Sequence, residues 1–210
     1  MTDSAKGKTV FVTSTQSHEG KTSSAINLAS SLAISGKKTV LLAMDLRAPK
    51  ISKYLEIEDG LGVTNFIKNN ELSISDIIEY DTHFDNLDII NSGDIPPNPV
   101  ELLMSNRITT IFEYLKANYE YVIVDTAPVG MVTDTIQISK FADLTIYVIK
   151  ANYLDKRMLH IPERMKKEEK LPNMALLING TDHSKGAYGY GYGYGNEKKL
   201  PWYKRIFKSA

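Results

Sequence analysis

The sequence contains no cysteine, no excess of either charge and no long apolar segment. Without cysteine it can form no disulfide, thiolate zinc site or cysteine-ligated iron–sulfur cluster, which fits a reducing compartment. Lys and Arg together number 25, as do Asp and Glu, so the net charge provides no general attraction to nucleic acid. No segment approaches the roughly 18 apolar residues of a spanning helix, and the amino terminus lacks a signal-peptide core. We therefore expect the chain itself to be soluble.

The 210 residues suffice for one domain, and a hydrophobic content of 42% is ordinary for a packed core. We place this domain at residues 1–180. Beyond it, the glycine-rich segment 186–195 alternates tyrosine with glycine from residue 188 onward, which is too flexible for a helix and leaves one strand face bare. We expect residues 181–210 to form a flexible tail. Its basic, aromatic end at 198–208 is typical of a membrane-surface or partner-binding segment, and equally of a frayed terminus.

The most informative motif is Gly20-Lys21-Thr22, which follows an apolar run at 9–12 and precedes a helix-forming stretch at 23–34. A strand, a tight loop and a helix in this order form a phosphate-binding loop, or P-loop. Main-chain amides and the helix dipole hold a polyphosphate, while lysine adds charge and threonine can ligate magnesium. The motif predicts an ATP or GTP site. We expect its contacts from one continuous segment: Ser17, His18, Glu19, Gly20, Lys21, Thr22 and Ser23.

Two features qualify and extend this motif. Thr15 stands where the usual pattern has its first glycine, and a three-residue match alone is common by chance. An apolar run at 121–124 ends in Asp125, as in P-loop proteins whose second acidic residue holds the metal or its water. The pair of motifs favours a nucleotide site over an ordinary helix start with an exposed lysine. We expect Lys21 to project into solvent.

Short apolar runs alternate with longer segments of helical periodicity, which predicts an α/β fold. We expect a P-loop NTPase-like three-layer sandwich, with a mainly parallel central sheet and helices on both faces. The predicted strands are 8–13, 38–44, 87–91, 120–125, 143–149 and 174–179. The predicted helices are 21–35, 63–69, 74–79, 100–118, 133–140 and 156–167. Right-handed crossovers would bring Lys21, Asp45 and Asp125 to the carboxyl edge of the sheet.

Further segments resemble those of bacterial tyrosine kinases, which are P-loop ATPases by descent, related to partitioning ATPases and unrelated to eukaryotic protein kinases. The matching segments are residues 13–22, VLLAMDLRAPK at 40–50, PPNPVELL at 96–103, DTAP at 125–128 and a carboxyl-terminal tyrosine cluster. The resemblance extends from Lys8 to about Tyr203. Its combination of motifs is much more specific than any one of them.

The resemblance implies ATP-dependent phosphorylation of tyrosines in the tail of a neighbouring copy, coupled to assembly or export of capsular or extracellular polysaccharide. Lys21, Asp45 and Asp125 would be catalytic, with ATP and Mg²⁺ as cofactors. Thr22, Asp45 and Asp125 would hold the metal. The implied acceptors are Tyr188, Tyr190, Tyr192, Tyr194 and Tyr203. Without the ATP site, a Gly-Tyr tract would more simply be an adhesive contact or a spacer.

The chain departs from the family pattern in two places. Ala43 stands where the first of two aspartates is usual, and that residue is the usual candidate for the base that accepts the tyrosine proton. The family's Glu- and Arg-bearing amino-terminal helix is also missing before Lys8. We expect the chain to be the catalytic part, at the cytoplasmic side of the bacterial inner membrane, of a longer membrane protein whose spanning helices precede Met1. Its implied partners are other copies, a membrane-spanning polysaccharide copolymerase segment and a protein-tyrosine phosphatase, with no nucleic acid.

Several assignments stay open at this level. Arg47 would reach a phosphate, form an ion pair in its loop or be a solvated loop residue, and Asn179 would either contact adenine or form a turn. His18 is expected to be exposed. Two other functions compete with the kinase: a partitioning-type ATPase that binds membrane or DNA, disfavoured by Gln16 at the position of its signature lysine, and a catalytically weak nucleotide-binding scaffold, suggested by Ala43.

Overall fold

The computed structural model describes residues 7–80 and 84–182. Within them the strands form one sheet in the order β3-β2-β4-β1-β5-β6. All neighbouring pairs are parallel, so the sheet is wholly parallel where a mainly parallel one was predicted. The strands are β1 (Lys8–Ser14), β2 (Thr39–Met44), β3 (Leu87–Ile90), β4 (Tyr121–Thr126), β5 (Leu144–Lys150) and β6 (Met174–Asn179). These bounds confirm the six predicted strands to within one residue at each end.

The described residues also contain seven α-helices and three short 3₁₀ helices. The α-helices are α1 (Lys21–Ile34), α2 (Ile51–Leu55), α3 (Val63–Lys68), α4 (Pro99–Leu103), α5 (Asn106–Asn118), α6 (Asp134–Ile138) and α7 (His160–Lys167). The 3₁₀ helices are Ile74–Ile77, Ser139–Phe141 and Lys156–Leu159. No α-helix in these ranges is long and apolar enough to cross a membrane.

Both faces of the sheet are covered, because successive side chains of a strand point to opposite faces. In β4, Val122 and Val124 join a core formed with α3 and α5. Ile123 between them joins a second core formed with Ala25 and Ala29 of α1. The small alanines let α1 lie close to the sheet. The three-layer α/β sandwich predicted from the sequence is therefore confirmed.

Four of the predicted helices have different bounds. The segment predicted as one helix over 100–118 is divided into α4 and α5, because Ser105 begins a new helix by accepting a hydrogen bond from the Arg107 amide. The segments at 133–140 and 156–167 each combine a short α-helix with a 3₁₀ turn, and the segment at 74–79 is a 3₁₀ helix followed by an isolated bridge between Glu79 and Ile89. Helix α2 was not predicted. The predicted boundary after residue 180 is untested, because the tail from 183 onward lies outside the described residues.

The strand order places the predicted site at one edge of the sheet. The P-loop follows β1, the acidic segment follows β2, and Asp125 lies near the end of β4 between them. Asn179 ends β6, on the other side of β1. Parallel strands present their carboxyl ends together, which is where open α/β sheets bind ligands. The predicted convergence of Lys21, Asp45 and Asp125 is confirmed.

Candidate active site

The P-loop ends at a glycine that no other residue could replace without strain. Gly20 has φ of 95°, in the left-handed region, and a Cβ atom there would lie 2.1 Å from Nδ2 of Asn179. The Asn179 amide in turn donates to the carbonyl of Glu19 at 2.9 Å. Asn179 therefore braces the P-loop from β6, a contact that was not predicted, and the predicted contact of Asn179 with adenine stays a prediction.

The side chain of Glu19 points into the protein. It is fully buried, and its carboxylate accepts hydrogen bonds from the Gln16 amide at 2.7 Å and the Lys150 amide at 3.5 Å. Burial raises the pKa of Glu19, and these backbone hydrogen bonds partly oppose the rise. That side chain holds the loop in shape. The predicted contact of Glu19 with the nucleotide therefore stays a prediction for its main chain alone.

Thr15 explains how the loop forms without the usual first glycine. Its φ is negative, so its backbone does not require glycine. The Thr15 hydroxyl lies 3.0 Å from the hydroxyl of Tyr147, a fully buried residue of β5. Desolvation raises the pKa of Tyr147 to about 12, despite the opposing hydrogen bond with Thr15. The substituted position is thus anchored to the sheet by a side-chain hydrogen bond.

Lys21 lies in a buried cluster with both predicted aspartates. Its Nζ atom donates to Asp45 Oδ2 at 2.8 Å and to Asp125 Oδ1 at 3.4 Å, and the residue is only 7% exposed. The Thr22 hydroxyl donates to Asp125 Oδ2 at 2.8 Å. The expectation that Lys21 projects into solvent was wrong, because two carboxylates attract its ammonium group inward.

The charges of this cluster depend on one another. Burial alone would lower the pKa of Lys21, but Asp125 and Asp45 attract and hydrogen-bond the ammonium group, and together they raise it. Burial raises the pKa of Asp125, against the opposing effects of Lys21 and Thr22. A lysine between two carboxylates keeps its charge, since neutralising it would leave both acids without a cation.

A cleft opens beside this cluster. Its lining residues come from the P-loop, the start of α1 and the segment after β2: Ser17, His18, Gly20, Lys21, Thr22, Ser23, Asp45, Ala48, Lys50 and Tyr54. His18 is exposed at its mouth, as expected, with a positive φ of 67°. Lys50 and Tyr54 were not predicted. Lys50 belongs to the acidic motif and could have been found there, whereas Tyr54 lies on the short helix α2, which carries no such signal.

Arg47 does not line this cleft. Its Nε atom donates to Asp134 Oδ2 at 2.8 Å and its Nη2 atom donates to Oδ1 at 3.1 Å. Of the three hypotheses for Arg47, the structure supports an ion pair, although with a residue 87 positions away rather than within its own loop. Asp134 was missed, because no local pattern distinguishes it from other acids at the start of a helix.

The residues present fit a nucleotide with a divalent metal. Gly20 offers no capping side chain, so the first amides of α1 are left for a ligand. The Thr22 hydroxyl and two carboxylates are the hard oxygen donors that Mg²⁺ prefers. The described residues contain no cluster of three acidic or histidine side chains for a metal. Mg²⁺ is usually held by one or two carboxylates together with phosphates and water.

Fold and site together define a P-loop nucleotide-binding protein. A family model described as an AAA domain matches residues 7–171. Tyrosine-protein kinase CpsD of Streptococcus pneumoniae is 33% identical over 195 residues, which cover 92% of this chain and 85% of that protein. The chain belongs to the bacterial tyrosine-protein kinases of the P-loop class, as its motifs predicted.

Solved structures agree with this assignment. The kinase domain of VpsO is 30% identical with a TM-score of 0.76, over 84% of this chain and 86% of that one. The chimerical protein CapA2B2 is 29% identical with a TM-score of 0.75, over 84% and 77% of the two chains. The family implies nucleotide binding with a divalent metal at this P-loop. The predicted acceptors Tyr188, Tyr190, Tyr192, Tyr194 and Tyr203 lie outside the described residues.

Proposed function

We propose that this protein is an ATP-dependent protein-tyrosine kinase that phosphorylates tyrosines in the carboxyl-terminal segment of a neighbouring copy. The observation that carries the proposal is the convergence of Lys21, Thr22, Asp45 and Asp125 within direct hydrogen-bonding distance. Three motifs far apart in sequence supply these groups. Burying a lysine and two carboxylates costs free energy that a purely structural core would not require. Their position beside an open cleft therefore favours a functional site.

Phosphoryl transfer depends mainly on positioning the reactants and neutralising the phosphate charge. P-loop amides from Ser17 to Ser23 would bind the phosphates of ATP, and Lys21 would exchange part of its pairing with Asp45 for the outer phosphates. Thr22, Asp45 and Asp125 would hold Mg²⁺, which neutralises charge on the transferring group. Asn179 ends β6 beside Gly20, and we expect the adenine base of ATP to bind on that side of the P-loop.

The reaction joins the tyrosine oxygen to the γ-phosphorus and breaks the bond between that phosphorus and the β,γ-bridging oxygen, which leaves with ADP. The phenol, with an ordinary pKa near 10, must lose its proton in the process. With Ala43 in place of the family's first aspartate, Asp45 is the acidic side chain left to accept it. The protein then functions with one base where its relatives' motif has two acids, so slow turnover is expected.

The acceptor segment suits transfer between copies. A glycine follows each of Tyr188, Tyr190, Tyr192 and Tyr194 and imposes little conformational preference, so any of these tyrosines could enter one cleft. Each phosphate adds close to two negative charges at neutral pH. Their accumulation would repel the segment from a site that already holds phosphate, so that copies associate when unmodified and separate when modified.

The resemblance to bacterial tyrosine kinases also suggests where in the cell the protein acts and with which partners. The kinase would act at the cytoplasmic side of the bacterial inner membrane, beside a membrane-spanning polysaccharide copolymerase segment, with a protein-tyrosine phosphatase resetting its tail. Phosphorylation would then regulate assembly or export of capsular or extracellular polysaccharide. The chimerical protein CapA2B2, which is among the similar structures, is consistent with association with a partner segment.

Phosphosite mapping tests the activity. The full chain is incubated with Mg-ATP, alone and with an added amino-terminal helix and membrane segment, and is then analysed by intact mass and peptide sequencing. Phosphate on Tyr188 to Tyr194 supports the proposal, and a variant with phenylalanine at these four positions and at Tyr203 is the control. Transfer between copies is tested by mixing that variant with Lys21→Met, where phosphate should appear only on the Lys21→Met chain.

Two other outcomes would contradict the kinase proposal. If the chain stays unmodified both with and without the added segments, and binds liposomes or DNA in an ATP-dependent way, the partitioning-type ATPase replaces the kinase. If ATP binds tightly without hydrolysis or transfer, the protein is a nucleotide-binding scaffold.

A further inference from the structure

An ion pair joins the loop after β2 to the helix that follows β4. Arg47 makes two parallel hydrogen bonds to the carboxylate of Asp134, which begins α6. Such paired bonds fix orientation as well as charge, because the planar guanidinium matches the carboxylate. The two partners differ in exposure: the Asp134 side chain is 2% exposed and that of Arg47 is 41% exposed.

Because Asp134 is buried, its carboxylate depends on Arg47 for charge compensation. A buried carboxylate without a cation is costly, and Arg47 is the only described cation within salt-bridge distance of Asp134. The pairing also raises the pKa of Arg47, chiefly through the hydrogen bonds to Asp134. Arg47 is therefore held in one place by an anchor that solvent hardly reaches.

The position of Arg47 in its loop transmits this anchoring to Asp45. The Oδ1 atom of Asp45 accepts a hydrogen bond from the Ala48 amide at 3.2 Å, which closes a turn over residues 45–48. Its Oδ2 atom accepts from Lys21 at 2.8 Å. Arg47 lies within that turn, so a shift of its backbone would displace both hydrogen bonds and the Asp45 carboxylate with them.

The other end of the ion pair is tied to the segment after Asp125. Thr135, beside Asp134, donates from its hydroxyl to the Ala127 carbonyl at 2.6 Å. The hydroxyl of Thr13 in β1 donates to the same carbonyl at 2.9 Å. Ala127 follows Asp125 by only two residues. Arg47 and Asp134 thus connect the loop of one candidate metal ligand to the backbone next to the other.

We propose that Asp134 is a positioning residue that fixes the Asp45 carboxylate through Arg47 and so sets the affinity for Mg²⁺. The proposal deepens the proposed kinase function and rests on its metal site. Asp134 touches neither nucleotide nor metal in this account. Its removal should weaken the metal-dependent part of nucleotide binding and leave the main-chain contacts of the P-loop intact.

The experiment measures melting temperature of the full chain with ADP while Mg²⁺ is titrated, and with ADP in excess EDTA. In Asp134→Asn we expect the Mg²⁺ concentration for half-maximal stabilisation to rise on the order of tenfold, the typical effect of removing a group that orients a metal ligand. The shift with ADP in EDTA should match that of wild type. Glu120→Gln is the matched control, because it removes an exposed ion pair with Lys37 at the opposite edge of the sheet.

Asp134→Asn could fail to fold, so Arg47→Lys and Arg47→Ala test the same link from its exposed end. Arg47→Lys keeps the charge but loses the paired geometry, and we expect an intermediate Mg²⁺ requirement. The combination of Arg47→Ala with Asp134→Asn should cost no more than the worse single variant, since both remove one interaction. An unchanged Mg²⁺ requirement in the Arg47 variants, or additive effects in the double variant, would overturn the proposal.

The result is independent of the kinase assignment. ADP binding with Mg²⁺ requires no phosphoryl transfer, so a chain that never phosphorylates tyrosine can still support or contradict the role of Asp134. Conversely, the protein could phosphorylate tyrosine while its Mg²⁺ requirement stays unchanged in the Asp134 and Arg47 variants. The kinase function would then stand, and only the positioning role of Asp134 would be contradicted.

Discussion

Lys21 and Asp45 form an ion pair of 2.8 Å between the start of α1 and the end of β2, and both residues are more than 90% buried. The pair joins the P-loop lysine to the acidic segment, whose aspartate lies 24 residues later in the sequence. Asp125 completes the cluster at 3.4 Å. Because one cation serves two carboxylates, stability and chemistry at this site are coupled.

Lys21→Met should abolish phosphorylation and also destabilise the domain without nucleotide. It leaves two largely buried carboxylates without a cation, which costs about 3 kcal/mol for a broken buried pair. The loss of folding stability in Lys21→Met should become smaller as pH falls. With Lys21 gone, the folded-state pKa of Asp125 rises further above its unfolded value, so the associated stability is present at low pH and lost as pH rises through the folded pKa.

Urea unfolding of wild type and Lys21→Met between pH 4 and pH 8 measures this difference. Lys37→Met is the control, because Lys37 pairs with Glu120 on the exposed surface. Equal free energies of unfolding for Lys21→Met and wild type at pH 7 would show that the buried pair adds nothing to stability.

Gly20→Ala should disrupt the P-loop more than its backbone angle alone explains. Gly20 and Gly36 both have positive φ, of 95° and 79°, so alanine is strained at either position by about 1 kcal/mol. At Gly20 the new methyl group would also collide with Asn179, whereas at Gly36 it would meet nothing within 4 Å. Gly20→Ala should therefore lose more stability than Gly36→Ala. Of the two variants, only Gly20→Ala should lose nucleotide binding.

Thermal unfolding and ADP titration of the two alanine variants give the comparison. Gly20→Ala combined with Asn179→Ala should recover part of the stability, because the second change removes the colliding amide. If the two glycine variants behave alike, Asn179 does not constrain the loop.

Tyr147→Phe should change the alkaline stability of the protein. The folded-state pKa of Tyr147 is about 12, above an ordinary value of 10.0. Its contribution to stability is therefore present below pH 10 and is lost as pH rises through 12. Between these values wild type should lose about 2 kcal/mol more than Tyr147→Phe, at 1.36 kcal/mol per pKa unit and allowing for relaxation.

Chemical unfolding from pH 9 to pH 12 checks this expectation. Tyr153→Phe is the control, since Tyr153 also contacts the P-loop, at the Ser17 carbonyl, but is exposed. A constant stability difference between wild type and Tyr147→Phe across that range would contradict it.

Ala43→Asp should restore the family's two-acid motif and raise the phosphorylation rate. Ala43 is directly opposite Asp125 in the register of β2 and β4, and it packs on the α1 face, where the cleft lies. A second base there should increase the rate on the order of tenfold or more. A third acid near one lysine should also lower the melting temperature, because like charges repel.

Rates of tyrosine phosphorylation in wild type, Ala43→Asp and Ala43→Asn provide the measurement. Ala43→Asn has a similar size without the charge and should give no increase. If Ala43→Asp is no faster than wild type, the alanine does not limit catalysis.

The sequence predicted the strands well because each contains a short apolar run, and in β2 the run from Val40 to Met44 is wholly buried. It also predicted which loops would meet, since parallel strands share one carboxyl edge. Helix bounds were less accurate. The division between α4 and α5 depends on a single capping serine, Ser105, within a continuous periodic pattern.

Side-chain direction was not predictable from local patterns. Lys21 and Glu19 are charged residues in a loop, and both were expected to face ligand or solvent. Their burial depends on partners from other strands: Asp45 and Asp125 for Lys21, and the Lys150 amide for Glu19. The pairing of Arg47 with Asp134 has the same origin, because it exists only once β2 and β4 are adjacent.

The most direct test of the account is the mapping of phosphate on the full chain after incubation with Mg-ATP, in wild type, Lys21→Met and Asp45→Asn. We predict phosphotyrosine within residues 188–194 of wild type, with none in Lys21→Met and strongly reduced amounts in Asp45→Asn. Wild type that gains no phosphate even with the added amino-terminal helix and membrane segment, or Lys21→Met that gains as much as wild type, would contradict it.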